Sequence, residues 1–237
     1  MTLRHEVSGD GPPLVLASSL GTTHRLWDPN LDALTTRFRV IRYDHPGHGS
    51  SPPGPRTIEG FAQQTLALAD EVGLDRFGFC GLSLGGMVGI WLGAHAADRL
   101  DRLVLACTAP YLPPPEQWLE RAVTVRAQGL AAVADAVVAR WFKPRFAGAV
   151  EPWRAMLLAT PPEGYARACE AIAGMDLRGE LDRIKVPTTV ILGRHDPVLG
   201  DDDLRLPEHF GPVVELETAH LANVEQPDAF SRAVLSS

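Results

Sequence analysis

The pentapeptide Gly81-Leu82-Ser83-Leu84-Gly85 constrains this chain more than any other stretch. It stands between an apolar run from Phe77 to Cys80, read as a strand, and an apolar segment from Leu84 to about Ala97, read as a helix. A side chain that must project from so sharp a strand-to-helix turn forces its backbone into φ/ψ values few residues tolerate and crowds its neighbours, and flanking glycines permit both. A serine held there is exposed at a helix N-terminus, where free backbone N–H groups favour developing negative charge.

The surrounding pattern is one of alternation. Leu14 to Ala17 and Phe38 to Tyr43 read as buried strands, each followed by a small or polar loop, Ser18 to Thr23 and Asp44 to Ser51. Ile58, Phe61, Ala62, Thr65, Leu66 and Ala69 recur at helical spacing behind Thr57, a capping residue, and Gly73 closes that helix. Leu103 to Cys107, Val186 to Leu192 and Val213 to Leu216 read as further strands, and Pro227 to Leu235 as a helix with proline in its first turn. Between Ala109 and Met175 no strand pattern occurs; Glu116 to Gln128 and Leu130 to Phe142 read as helices, with Trp118, Trp141 and Trp153 spaced through the region. Strands alternating with helices imply an α/β fold with a mostly parallel sheet covered on both faces. The expected division is a core of residues 1–108 and 179–237 with residues 109–178 as a helical cap.

A serine nucleophile needs a base within hydrogen-bond reach and a carboxylate to hold that base in its useful tautomer. In a strand–elbow–helix fold these follow the serine in the order acid, then histidine, on loops at strand ends. Asp196 follows the strand ending at Leu192, and His220 follows the one ending near Leu216, so Ser83, Asp196 and His220 form the expected triad. The competing acids Asp201, Asp202 and Asp203 lie further into a polar run. Among competing histidines, His195 points away from its neighbour on a short loop, His48 precedes the serine, and His209 falls within a helical stretch. The oxyanion donors expected are the backbone N–H of Leu84 and, from the loop after the first buried strand, that of Leu20.

Composition excludes several partners. With 22 basic and 29 acidic residues the formal charge is −7, which repels nucleic acid and anionic membrane alike. No apolar run approaches the roughly 18 residues of a membrane span, and Met1 to Asp10 has no apolar h-region, so neither a membrane span nor a secretory signal is expected. Cys80, Cys107 and Cys169 are too scattered for a disulfide framework or a metal site and fit reduced, buried thiols in a cytoplasmic protein. No metal or organic cofactor is implied, and the expected partner is a small-molecule substrate, with the protein a monomer or small homo-oligomer.

On these residues the chain resembles the α/β-hydrolase superfamily over nearly its whole length, and within it the 3-oxoadipate enol-lactonase family of aromatic-acid catabolism. The resemblance is carried by Ser19-Leu20-Gly21-Thr22 with Trp27-Asp28-Pro29, and by the elbow segment from Cys80 to Arg102. It extends through Pro161 to Tyr165, Met175 to Arg178, and Ala219 to Pro227. Pro46 before the Gly-His-Gly turn, and His24 and Arg25 in the oxyanion loop, depart from that family's pattern. The resemblance implies hydrolysis of a small carboxylated enol-lactone, with a carboxylesterase or C–C bond hydrolase of the same fold, or a non-catalytic ligand-binding protein on it, as alternatives. A carboxylated substrate needs a local cation in an acidic protein; Arg140 and Lys143 beside Trp141, and Arg25, are the candidates.

Overall fold

The computed structural model describes residues 2–146, 148–199, 206 and 211–237. The chain runs β1 (His5–Ser8), β2 (Pro13–Ala17), α1 (Leu31–Thr35), β3 (Arg39–Tyr43), α2 (Ile58–Glu71), β4 (Phe77–Leu82), α3 (Leu84–His95) and β5 (Leu100–Ala106). It continues α4 (Pro115–Gln128), α5 (Ala134–Trp141), α6 (Glu151–Leu158), α7 (Pro162–Ala173), β6 (Thr188–Gly193), β7 (Val213–Leu216), α8 (Ala222–Glu225) and α9 (Pro227–Leu235). The described strands form one sheet in the order β1-β3-β2-β4-β5-β6-β7, parallel throughout except that β1 runs antiparallel to β3. Every side chain of β4 is buried, as a central strand covered on both faces requires.

Local chemistry sets the helix ends. The Thr57 hydroxyl accepts the Gly60 N–H at the start of α2, and Gly73, at φ 73°, turns the chain out after its end. Helix α3 is apolar nearly all round because α2 packs on its outer side while its inner side lies across β4 and β5. Helix α9 packs on α1 and reaches β6 and β7.

The segment from 109 to 178 contains four α-helices and no strand among its described residues. The stretch expected as one helix from Leu130 to Phe142 is divided: Gly129, at φ 76°, is followed by a 3-10 turn over Leu130–Ala132, and α5 begins only at Ala134. Helix α4 packs along α7, with Arg126 bridging Glu163 and Glu170 across the exposed seam. The N-terminus of α7 sits directly on the loop after β3, so close that a Cβ added at Gly164 would fall 1.8 Å from the Gly47 carbonyl oxygen. β1 had no counterpart in the sequence pattern, since His-Glu-Val-Ser is half-exposed on an antiparallel edge and lacks an apolar alternation. Cys80, Cys107 and Cys169 are free and buried. No described helix is long and apolar enough to cross a membrane.

Candidate active site

The parallel strands deliver their carboxyl ends, and the loops that follow them, to one edge of the sheet. Ser83 stands there between β4 and α3 at φ 57°, ψ −113°, a conformation that costs a non-glycine residue roughly 1–3 kcal/mol and persists only where its surroundings enforce it. The enforcement is visible. The Ser83 N–H bonds Ala106 O on the neighbouring strand at 2.9 Å, and its carbonyl takes the Met87 N–H at 3.0 Å and the Thr108 hydroxyl at 2.8 Å. The turn closes so tightly that a Cβ at Gly81 would lie 2.1 Å from Gly85 O, and one at Gly85 would lie 2.2 Å from Ala17 O. Only hydrogen fits at either position.

The structure brings Ser83, His220 and Asp196 together. Ser83 Oγ lies 2.9 Å from His220 Nε2, and His220 Nδ1 lies 2.8 Å from Asp196 Oδ2. A carboxylate only accepts, so Nδ1 carries the ring proton and Nε2 is left as the acceptor of the serine O–H. Asp196 is itself oriented, because its Oδ1 accepts the Val198 N–H at 2.9 Å. His195, next in sequence, turns to Glu217 at 2.8 Å instead. Asp201, Asp202, Asp203 and His209 lie outside the described residues.

The loop of residues 18–23 faces Ser83 and is held peptide by peptide. Ser18 O accepts the Gly85 N–H at 3.0 Å and the His45 Nε2–H at 2.8 Å. Ser19 O accepts the Thr22 N–H at 3.2 Å and the Thr22 hydroxyl at 2.7 Å. The Gly21 N–H is donated to His48 Nε2 at 3.1 Å, and Gly21 O accepts from Thr160 on the segment between α6 and α7. Leu20 lines the cavity with Ser83, and Leu84 opens α3, where first-turn N–H groups have no intrahelical partner.

His48, which the sequence pattern placed outside the triad, and His45 are thus the supports of this loop. Burial, reinforced for His45 by the charge of His48, drives their pKa values from the usual 6.5 down to about 3 and about 4. The unfolded chain takes up both protons near pH 6.5, whereas the fold resists them until near 4 and 3. Between those limits the unfolded state binds more protons, so stability falls as pH drops below 6.5, by about 1.4 kcal/mol per histidine per pH unit. Urea unfolding at pH 7 and pH 5 is expected to show this loss, and His48→Gln, which keeps an acceptor for Gly21, is expected to reduce the slope by about half. Equal stability at the two pH values would contradict the assignment.

Ser83 opens into a narrow cavity of about 40 Å³. Its floor is Ser19, Leu20, Ser83, Met87 and His220; Trp118, Arg121, Arg140, Trp141 and Tyr165 from the helices after β5 form the opposite wall. Arg121 and Arg140 make no ion pair with a carboxylate among the described residues, and burial followed by the charge of Arg121 pulls the Arg140 pKa downward. Arg121 also lies 4.5 Å over the Trp118 ring. The Tyr165 hydroxyl is buried beside Arg121 and Arg140, and burial raises its pKa against the pull of both, so it stays a neutral O–H.

Two of the cations expected at the cavity are elsewhere. Arg25 is exposed on a 3-10 turn, His24–Asn30, whose His24, Leu26, Trp27 and Asn30 are the inward positions; it lines a separate depression with Pro152 and Trp153. Lys143 lies past the end of α5, where the helical phase that carries Arg140 inward is lost, and its ammonium bonds the Glu217 carbonyl on the outside. Arg121 had not been expected. The signal for it was a cation inside the buried stripe Trp118, Ala122 and Val125 of α4.

The end of α5 is also fastened to the His220 loop. The Leu221 N–H bonds Trp141 O at 3.0 Å, while Glu225 Oε1 accepts from the backbone of both Ala219, at 2.7 Å, and Lys143, at 3.2 Å. The described residues contain no group of three or more His, Cys, Asp or Glu arranged to hold a metal ion.

Residues 14–233 match the alpha/beta hydrolase family. The 3-oxoadipate enol-lactonase 2 of Acinetobacter baylyi is 38% identical, over 95% of this chain and 88% of that protein. Among solved structures, the enol-lactonase from Burkholderia xenovorans LB400 superposes with a TM-score of 0.94 at 40% identity, covering 99% of this chain and 95% of that one. A malate-bound thermophilic esterase from Thermogutta terrifontis gives a TM-score of 0.92 at 27% identity, covering 99% and 92%.

Proposed function

The chain belongs to the alpha/beta hydrolase family, and on that premise we propose that it is a Ser-His-Asp hydrolase opening a small carboxylated enol-lactone, 3-oxoadipate enol-lactone in the naming of its relatives. Ser83 is the nucleophile, His220 the base and Asp196 the residue that orients it. Ser83 Oγ attacks the ring carbonyl carbon as its proton passes to His220 Nε2, and the oxyanion forms against the Leu20 and Leu84 N–H groups. The ring C–O bond then breaks, and the enol oxygen leaves with the proton from His220. The enol converts to the ketone, which draws the reaction forward. Water, deprotonated by His220, attacks the acyl carbon, and Ser83 departs with that proton. Lactone plus water becomes one keto diacid.

The observation that carries the substrate class is the pair Arg121 and Arg140, two cations held close together on the wall facing Ser83 with no carboxylate of the described chain to pair with. Placing like charges together in a partly dry cavity is unfavourable unless an anion enters, and a guanidinium binds a carboxylate in a two-point fork. Tyr165 adds an O–H donor on the same wall. In this reading residues 109–178 act as a cap that selects the substrate, while the sheet edge does the chemistry.

The experiment compares the enol-lactone with its neutral methyl ester and with p-nitrophenyl acetate. A kcat/KM at least ~100-fold higher for the carboxylated compound is expected, the scale of a buried charge-assisted contact. Arg140→Leu and Arg121→Leu are each expected to remove most of that preference by raising KM, with turnover of the neutral ester within about threefold of wild type and no fall in Tm. A wild-type enzyme that prefers the neutral esters would reassign the protein as a general carboxylesterase.

A further inference from the structure

We propose that Thr22 is a positioning residue for the oxyanion hole: its buried hydroxyl fixes and polarises the peptide that presents the Leu20 N–H. The inference rests on the reading of Leu20 as an oxyanion donor. The peptide between Ser19 and Leu20 carries two groups, the Ser19 carbonyl and the Leu20 N–H, and in a planar trans peptide these point in opposite directions. Whatever holds the carbonyl therefore aims the N–H.

That carbonyl is held from within the loop. Thr22, fully buried, gives it two hydrogen bonds, 2.7 Å from Oγ1 and 3.2 Å from the backbone N–H. The hydroxyl bond is the shorter and makes the larger contribution to the peptide's orientation. The adjacent peptides have their own supports, Ser18 O from Gly85 and His45, and Gly21 from His48 and Thr160. Among the bonds of the described residues, Thr22 alone holds Ser19 O. A carbonyl that accepts hydrogen bonds withdraws density from its own amide, so the opposite N–H becomes a stronger donor. The Leu20 donor is thus aimed before charge develops, which is the condition under which a hole lowers the barrier rather than binding substrate and transition state equally.

The test sets two near-isosteres against each other, with p-nitrophenyl acetate as substrate so that the outcome is independent of the lactone assignment. Thr22→Val keeps the shape and removes the hydroxyl; Thr22→Ser keeps the hydroxyl and removes a methyl. Valine is expected to lower kcat about tenfold or more with KM within about twofold, a part of the ~10²–10³ carried by a whole oxyanion donor, while serine stays within about threefold of wild type. A packing role predicts the reverse order, with valine active and serine impaired, and that result would overturn the proposal. Binding of phenylboronic acid, measured at equilibrium, is expected to weaken with valine by the same factor as kcat, and Thr22→Ala serves in the same two measurements if the valine variant does not fold. Ser83→Ala belongs in the same assay: if it retains turnover, the nucleophile assignment has failed; if it is inactive and Thr22→Val is unimpaired, only the role of Thr22 is lost.

Discussion

Replacing Ser83 with alanine is expected to lower kcat on the order of a million-fold, the scale on which triad enzymes lose their nucleophile. The variant keeps everything else at the sheet edge. In the proposed mechanism the Leu20 and Leu84 N–H groups remain as oxyanion donors, and His220 still sits on Asp196 at 2.8 Å. A residual acceleration of roughly 10³–10⁴ over water is therefore expected to remain. Removing Oγ leaves the elbow in place, since Ser83 is held by its backbone bonds to Ala106, Met87 and Thr108, so Tm should change little. The measurement is steady-state turnover of the enol-lactone and of p-nitrophenyl acetate, with wild-type contamination quantified by a serine-directed phosphonate. Turnover within tenfold of wild type would falsify the assignment of Ser83.

Asp196→Asn is expected to cost about 10⁴ in kcat while leaving the fold intact. The magnitude follows from which atom goes where. The backbone N–H of Val198 already bonds Oδ1 at 2.9 Å, so the amide oxygen of asparagine stays on that donor and its NH₂ takes the place of Oδ2. An NH₂ facing His220 Nδ1 requires that nitrogen to accept, which moves the ring proton to Nε2 and leaves no lone pair for the Ser83 hydroxyl. Geometry survives and the tautomer does not. A loss confined to KM would show that the carboxylate does not act through the histidine. Asp196→Ala is a useful contrast, since it removes the orientation without imposing the wrong tautomer.

Much of this site was legible in the chain because it depends on order along the sequence. The elbow is a local pattern, and acid and base follow it on loops after β6 and β7, so the meeting of Ser83, Asp196 and His220 follows from alternation alone. The Ser18 to Thr23 loop was legible on the same grounds, as the loop after β2. The cavity wall was not. Arg121 reaches the cavity because α4 packs along α7, a contact between residues some forty positions apart that no periodicity records. Arg25 and Lys143 were misplaced for a related reason: each lies within a few residues of an inward-facing neighbour, and a short 3-10 turn or a helix end changes the phase on which such an inference depends. His48 could be read as a core histidine, yet neither it nor His45 as a support of a loop more than twenty residues earlier. β1 escaped because a four-residue half-exposed edge strand has too few side chains to show an alternation.

The fastening of α5 to the His220 loop bears on how such proteins can be recombined. A chimera that grafts the helices of a relative by splicing near residues 109 and 178 would appear to exchange a self-contained module. It would in fact set the end of an incoming α5 against the resident His220 loop, where the Leu221 N–H must still meet the carbonyl of residue 141 and Glu225 must still reach the N–H groups of residue 143 and Ala219. The end of α5 and the His220 loop are positioned together across that seam, and a graft that carries residues 217–225 along with the four helices is expected to keep both in register.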